Sequence, residues 1–235
     1  MNEMIETLLN LYRQQFPFDR FYDNLLYNIS AYPKYHIASQ NFLAGYRPKT
    51  KIAEDIPLIL TKSGDIRVDL PIWFGDPCAK NKIVVVGLEP RDTDKSGHLN
   101  IERVENFVFG TPFALEHPKG PYYSAFREVT EASDTFFYFT DVVKTYQVGD
   151  SCSKSTDDKI ARQTFWKKAH EGKAFLLEEL QIIEPDNIVA LGNDSFSFLN
   201  ELLGATYNVR KVRHPSQGGA RIARQQLAAL LQSLS

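Results

Sequence analysis

Four positions between residues 89 and 214 carry side chains that could do chemistry where a strand gives way to a loop. Glu89 lies in Gly87-Leu88-Glu89-Pro90, where the glycine lets a ligand come close to the backbone and the proline sets the turn. A carboxylate there could act as a base, or simply be a surface glutamate in a loop. Phe113 follows a Gly-Thr-Pro turn and could stack on a flat ligand or belong to the core. Asp141 interrupts the apolar stretch Phe137-Tyr138-Phe139-Thr140-Asp141-Val142-Val143. An acid in such company sits at the mouth of the strand or is paired, because an unpaired buried charge is costly. Lys144 is the nearest candidate partner. In His214-Pro215-Ser216 the imidazole could donate to a ligand oxygen gaining negative charge, and Ser216 could cap the helix that follows.

The turn that carries the histidine, KVRHPSQGGARIAR (211–224), is cationic and glycine-hinged. After Glu201 there is no acidic residue, while Arg210, Lys211, Arg213, Arg221 and Arg224 all follow it in a chain of formal net charge −2. This local field suits a polyanion, or equally a solvated basic helix at the end of the chain. With 43% hydrophobic and 24% charged residues the composition is that of an ordinary folded protein. No apolar run approaches the ~20 residues that cross a bilayer, and the N-terminal segment has no small-residue cleavage site, so neither a membrane span nor a secretion signal is expected. The two cysteines, Cys78 and Cys152, do not make a disulfide framework, a zinc site or an iron–sulfur site by themselves. The expectation is a cytoplasmic protein with no metal and no cofactor.

The elements that must position these side chains are legible as patterns. Met4, Leu8, Leu9 and Tyr12 form a stripe at helical spacing, and a second helical segment is expected around 21–29. IPLILTKSGDIRVDLPIWF places two β-rich runs around Ser63-Gly64-Asp65 and predicts a hairpin. From residue 82 strands and helices alternate. KIVVVGLEP, TFFYFTDVV and NIVALG read as strands buried on both faces, with YNVRKVRHP as a fourth. Helices are expected near 122–131, 160–183, 196–203 and 220–234. The pattern indicates a three-layer α/β/α sandwich with a mainly parallel four-stranded central sheet, preceded by N-terminal helices and the hairpin. Residues 1–80 form an extension packed on the core, and 81–235 form the α/β/α domain. Ligands of such sheets bind outside the carboxyl ends of the strands, which selects the loops after Val86, Val142, Leu191 and Val212.

Taken in order on successive strand ends, these motifs resemble those of the uracil-DNA glycosylase superfamily, over about residues 82–234. The family's Gly-x-x-Pro loop corresponds to Gly87-Leu88-Glu89-Pro90, its aromatic platform to Phe113, its base-reading strand end to FTDVVK, and its last motif to His214-Pro215-Ser216. IVALG, at 188–192, is similar to a strand of the iron–sulfur branch. The resemblance implies a DNA glycosylase that extrudes a damaged or deaminated base and hydrolyses its N-glycosidic bond, without a metal. It implies that Gly87 lines the pocket, Phe113 stacks on the base and Asp141 reads its edge. His214 would bond to the departing base and Glu89 would orient or deprotonate water. Arg213, Ser216 and the backbone of Gly218 and Gly219 would grip phosphates, with Arg221 and Arg224 adding attraction.

The chain departs from the family at several points. Asp141 stands where an amide is usual, and a carboxylate only accepts hydrogen bonds, so a base with an exocyclic amino donor is expected to fit better than uracil. Glu89 is one methylene longer than the usual Asp. Gln217 and Gly218 occupy the place of a hydrophobic wedge, and four cysteine ligands are missing. A protein of the same fold that binds nucleic acid or nucleotide without cleaving it is the alternative, and a small-molecule α/β enzyme is a third.

Overall fold

The computed structural model describes residues 3–15, 66–69, 71–89, 102–104, 107–110, 112–114, 125–126, 129–130, 134–147 and 158–234 except Gln217. The expected helix around 21–29, the first run of the expected hairpin, the Pro90 end of the Gly87 loop and Cys152 lie outside the described residues. In chain order the elements are α1 (Glu3–Gln15), β1 (Ile66–Asp69), β2 (Ile72–Phe74), β3 (Asn81–Gly87), β4 (Glu102–Val104), β5 (Phe107–Gly110), β6 (Thr135–Asp141), β7 (Thr145–Gln147), α2 (Asp158–Ile183), β8 (Asn187–Leu191), α3 (Asn193–Leu203), β9 (Val209–Val212) and α4 (Ala220–Gln232). The fold is α/β. Among the described residues no helix is long and apolar enough to cross a membrane.

The continuous apolar runs become interior strands: all seven residues of β6 and all five of β8 are buried. Strand order in the larger sheet is β2-β6-β3-β8-β9. β6, β3, β8 and β9 run parallel, whereas β2 is antiparallel to β6. The sheet is therefore five-stranded and mixed rather than four-stranded. The extra strand is short and antiparallel, and its Ile72 and Phe74 lie opposite Phe139 and Phe137, where they extend the same apolar surface. The second run of the expected hairpin supplies two strands, β2 and also β1, whose two edges are taken by β5 and β7 in a second sheet of order β4-β5-β1-β7.

Side chains alternate across each strand of the larger sheet, and each face meets different helices. On one face Val84, Val86, Phe136, Tyr138, Ile188 and Ala190 pack with α1 (Ile5, Leu8, Tyr12), α2 (Leu176, Leu180, Ile183) and α3 (Phe198, Leu199, Leu203). On the other, Ile83, Val85, Phe137, Phe139, Val189, Leu191 and Val212 pack with Ala223 and Leu227 of α4 and with Phe126 and Val129. The first 80 residues thus contribute an edge strand and a helix to the same cores. α2 stops at Glu184, whose left-handed φ of 51° precedes Pro185.

Between α1, β6 and α2 the core encloses a charged group. Glu179 is fully buried and accepts from Tyr12 Oη (2.7 Å), Tyr138 Oη (2.6 Å) and Thr140 Oγ1 (3.1 Å). Burial first, and the Glu179 carboxylate second, hold both phenols well above the usual tyrosine value of 10.0. Below that pH both are protonated, folded or unfolded, and their contribution is complete. Above it the unfolded chain releases protons that the folded chain keeps, so stability falls as pH rises. Each phenol adds a slope of about 1.4 kcal/mol per pH unit there. Thermal unfolding followed from pH 9 to 11.5 should show a steepening loss of Tm, and Tyr12→Phe should make that loss shallower. Equal slopes in the two proteins would contradict the assignment.

Candidate active site

Two groups of the expected residues come together at the carboxyl edge of the larger sheet. The first is at β3 and β6. Gly87 lies opposite Asp141 in the parallel register, and pairing continues past the strands through Val142 N–H to the Gly87 carbonyl (3.1 Å) and Val143 N–H to the Leu88 carbonyl (3.0 Å). The two loops are therefore fixed to each other. A side chain at Gly87 would begin 2.3 Å from Asp141 Oδ1 and 2.5 Å from Phe113 Cε1, so only glycine admits both neighbours. Phe113 reaches this place through a left-handed backbone, φ 62° and ψ 15°, in a short 3-10 turn over Pro112–Ala114. A bulky residue in that region costs about 1–3 kcal/mol, a strain typical of functional sites. Its ring is half-buried, tilted against Phe126 and edge-on to Phe139, with centroids 6.0 and 6.1 Å away, so it borders the core. Asp141 is 2% exposed. Glu89 is half-buried, and its Oε2, like Oδ2 of Asp141, is out of reach of solvent.

Lys144 is not the partner of the Asp141 carboxylate. Its ammonium bonds to Glu179 Oε2, to Thr140 Oγ1 and, at 2.6 Å, to the backbone carbonyl of Asp141. The strand's period of two explains this: Thr140 shares a face with Tyr138 and faces α2, whereas Asp141 shares the opposite face with Phe139.

The second group is at β8 and β9. Gly192 ends β8 with φ 90°, and its N–H bonds to the Val212 carbonyl at 2.9 Å. A Cβ on Gly192 would lie 3.5 Å from His214 Cβ, so the histidine stands directly beside it. His214 Nδ1 is 2.7 Å from Ser216 Oγ and receives the Ser216 N–H at 3.3 Å. A backbone N–H can only donate, so Nδ1 is the acceptor and the neutral imidazole carries its proton on Nε2. Ser216 therefore orients the imidazole; it does not cap the helix, since α4 has Gly219 at its N-cap and no side-chain cap.

The two glycines of this turn have different jobs. Gly218 is exposed with φ 77° and provides the left-handed step. Gly219 is buried, and a Cβ there would sit 2.2 Å from the His214 carbonyl. The Gly219 N–H donates to the Ser216 carbonyl at 3.0 Å, so it is spent closing the turn and does not grip a phosphate.

Beside His214 opens a cleft of about 470 Å³, within the size range of small-ligand sites (~300–1,000 Å³). Gly192, Asn193, Lys211, Val212, Arg213, His214, Ser216, Ile222 and Gln226 line it. Arg213 and Arg221 are exposed, and the Arg213 N–H is tied to Gln226 Oε1 at 2.7 Å, fixing the backbone from which the guanidinium extends. Sequence reasoning missed Asn193, Lys211, Ile222 and Gln226 as lining residues, although IVALG marked the strand end that leads to Asn193. Glu89, Phe113 and Asp141 do not line this cleft. They share its edge of the sheet, with β8 between β3 and β9, about 10 Å of sheet from one group to the other. Among the described residues no three His, Cys, Asp or Glu side chains gather as a metal site requires. Compared with known proteins, the sequence matches no protein-family model and no curated protein.

Proposed function

We propose that the chain is a diverged DNA N-glycosylase that hydrolyses the bond between a flipped base and its sugar, built on an α/β/α core with the sheet's four parallel strands at its centre. The observation that carries this reading is the contact of Gly87, Phe113 and Asp141: an aromatic ring on a left-handed backbone and a buried carboxylate meet over a glycine at a strand end. A flat ring beside a carboxylate supplies the two kinds of contact that a nucleobase offers, a face and a polar edge. Phe113 stacks on the extruded base and Asp141 accepts from its edge, which favours a base with an exocyclic amino group. His214 donates from Nε2 to the base oxygen that gains charge as the C1′–N bond breaks. Glu89 orients a water, whose oxygen joins C1′ and whose proton passes to the carboxylate and on to the departing base. Arg213, Arg221, Lys211 and the Ser216 segment hold the phosphates, and Gly218 lets the turn approach them.

A second reading, binding of nucleic acid or nucleotide without cleavage, is favoured by one feature: the cationic cleft beside His214 does not include Glu89. One experiment separates the two. Oligonucleotides carrying deaminated, alkylated and normal bases, single- and double-stranded, are incubated with the wild-type chain and with Glu89→Gln, and free base is measured. The glycosylase reading expects release from at least one oligonucleotide, its loss in Glu89→Gln, and a shift towards uracil in Asp141→Asn. Salt-dependent binding with no release from any oligonucleotide would leave the binder and remove the enzyme.

A further inference from the structure

We propose that the buried Lys144–Glu179 pair is a positioning device for the site, holding the backbone of Asp141 and so aiming the carboxylate on the other face of β6. The proposal rests on the reading of Asp141 as the residue that meets the base. Lys144 Nζ lies 2.6 Å from the Asp141 carbonyl, and the same ammonium is anchored by Glu179 and Thr140. Glu179 is in turn fixed by two phenols from different elements, Tyr12 of α1 and Tyr138 of β6. The Lys144 backbone is held as well, its carbonyl receiving the Asp69 N–H at 3.2 Å. Val142 and Val143 are tied to Gly87 and Leu88. The turn 141–144 is thus clamped at every residue, and the residue at its start belongs to the candidate site.

Stability is a poor explanation for this arrangement. A buried ion pair commonly contributes no more than apolar side chains of the same volume, since desolvation offsets the attraction. What apolar groups cannot do is donate to the Asp141 carbonyl. Asp141 is the last residue of β6, beyond the regular ladder on its outer side, and its φ and ψ govern where the carboxylate points. Lys144 and Glu179 are positioning residues in this account; neither touches the base.

The test compares three proteins: the wild type, Lys144→Met/Glu179→Gln and Tyr12→Phe. The double variant removes both charges together and keeps an amide oxygen for the phenols, but it has no donor for the Asp141 carbonyl. Tyr12→Phe removes a bond to the same carboxylate without touching Asp141. Single-turnover base release, oligonucleotide affinity, Tm and the 13C resonance of the Asp141 carbonyl are measured for each. The double variant should release base about 100-fold more slowly with affinity unchanged, the cost of a misplaced group, and its Asp141 carbonyl resonance should move. Tyr12→Phe should lower Tm yet leave both the rate and the resonance in place. Wild-type release and an unmoved resonance in the double variant would overturn the proposal. So would a loss in Tyr12→Phe as large as in the double variant, because the effect would then follow stability. If the wild type releases no base at all, the reading of the site fails, and the carbonyl resonance alone decides whether the pair holds Asp141.

Discussion

Glu179→Ala is expected to destabilise the protein by about 3–5 kcal/mol, because it breaks a buried ion pair on one side only. The Glu179 side chain is 0% exposed and that of Lys144 only 7%, so truncation leaves an ammonium in the core with Thr140 and a carbonyl for company. Tyr12, Tyr138 and Thr140 lose their common acceptor at the same moment. For a chain of this length the loss corresponds to a Tm lower by on the order of 10 °C. Glu179→Gln also leaves the Lys144 ammonium without its counter-charge and should be milder only by what its amide oxygen recovers from the phenols, whereas Lys144→Met/Glu179→Gln removes both charges and should be milder than Glu179→Ala although it changes more atoms. That ordering is the diagnostic. Thermal unfolding of the three variants at pH 7 gives it directly, and a Glu179→Ala protein as stable as the wild type would show that water or a rearranged Lys144 already compensates the charge.

The interior of the sheet was legible because β3, β6 and β8 are unbroken apolar runs, which parallel strands covered on both faces require. Ile72-Trp73-Phe74 was legible as part of a β-rich run but its place beside β6 was not, since it owes that to Phe137 and Phe139, more than sixty residues away in sequence. The partner of Lys144 was missed for a related reason. Asp141 is its neighbour in sequence, but the alternation that puts Thr140 on one face and Asp141 on the other sends the ammonium towards Glu179, 35 residues further on. Nothing local identifies that glutamate. The twin glycines show another limit: Gly218 and Gly219 are indistinguishable as letters, yet one supplies a positive φ and the other fits beneath the His214 carbonyl. By contrast, the meeting of Gly87 with Asp141 was readable from strand ends, because in a parallel sheet register brings such ends side by side, whereas Phe113 arrives from the turn after β5 in the other sheet and His214 stands apart beside Gly192.

Histidine 214 offers the sharpest separation of chemistry from architecture. On the proposed glycosylase reading, His214→Ala should slow base release by about 10²–10³-fold, the usual effect of deleting a donor aimed at developing negative charge. It should do so with little change in Tm. The ring is only half-buried, and the hydroxyl and N–H of Ser216, which meet it at Nδ1, can turn to water when it is gone. Ser216→Ala then tests how the proton is placed. With the hydroxyl removed, the Ser216 N–H still points at Nδ1 and still keeps the proton on Nε2, so the loss should be clearly smaller than in His214→Ala. If instead the two variants are equally slow, the hydroxyl and not the amide orders the imidazole. If His214→Ala is as unstable as Glu179→Ala, the histidine is a structural member of the turn, and the proposed glycosylase reading must take its donor from Asn193, Lys211 or Arg213, which line the same cleft.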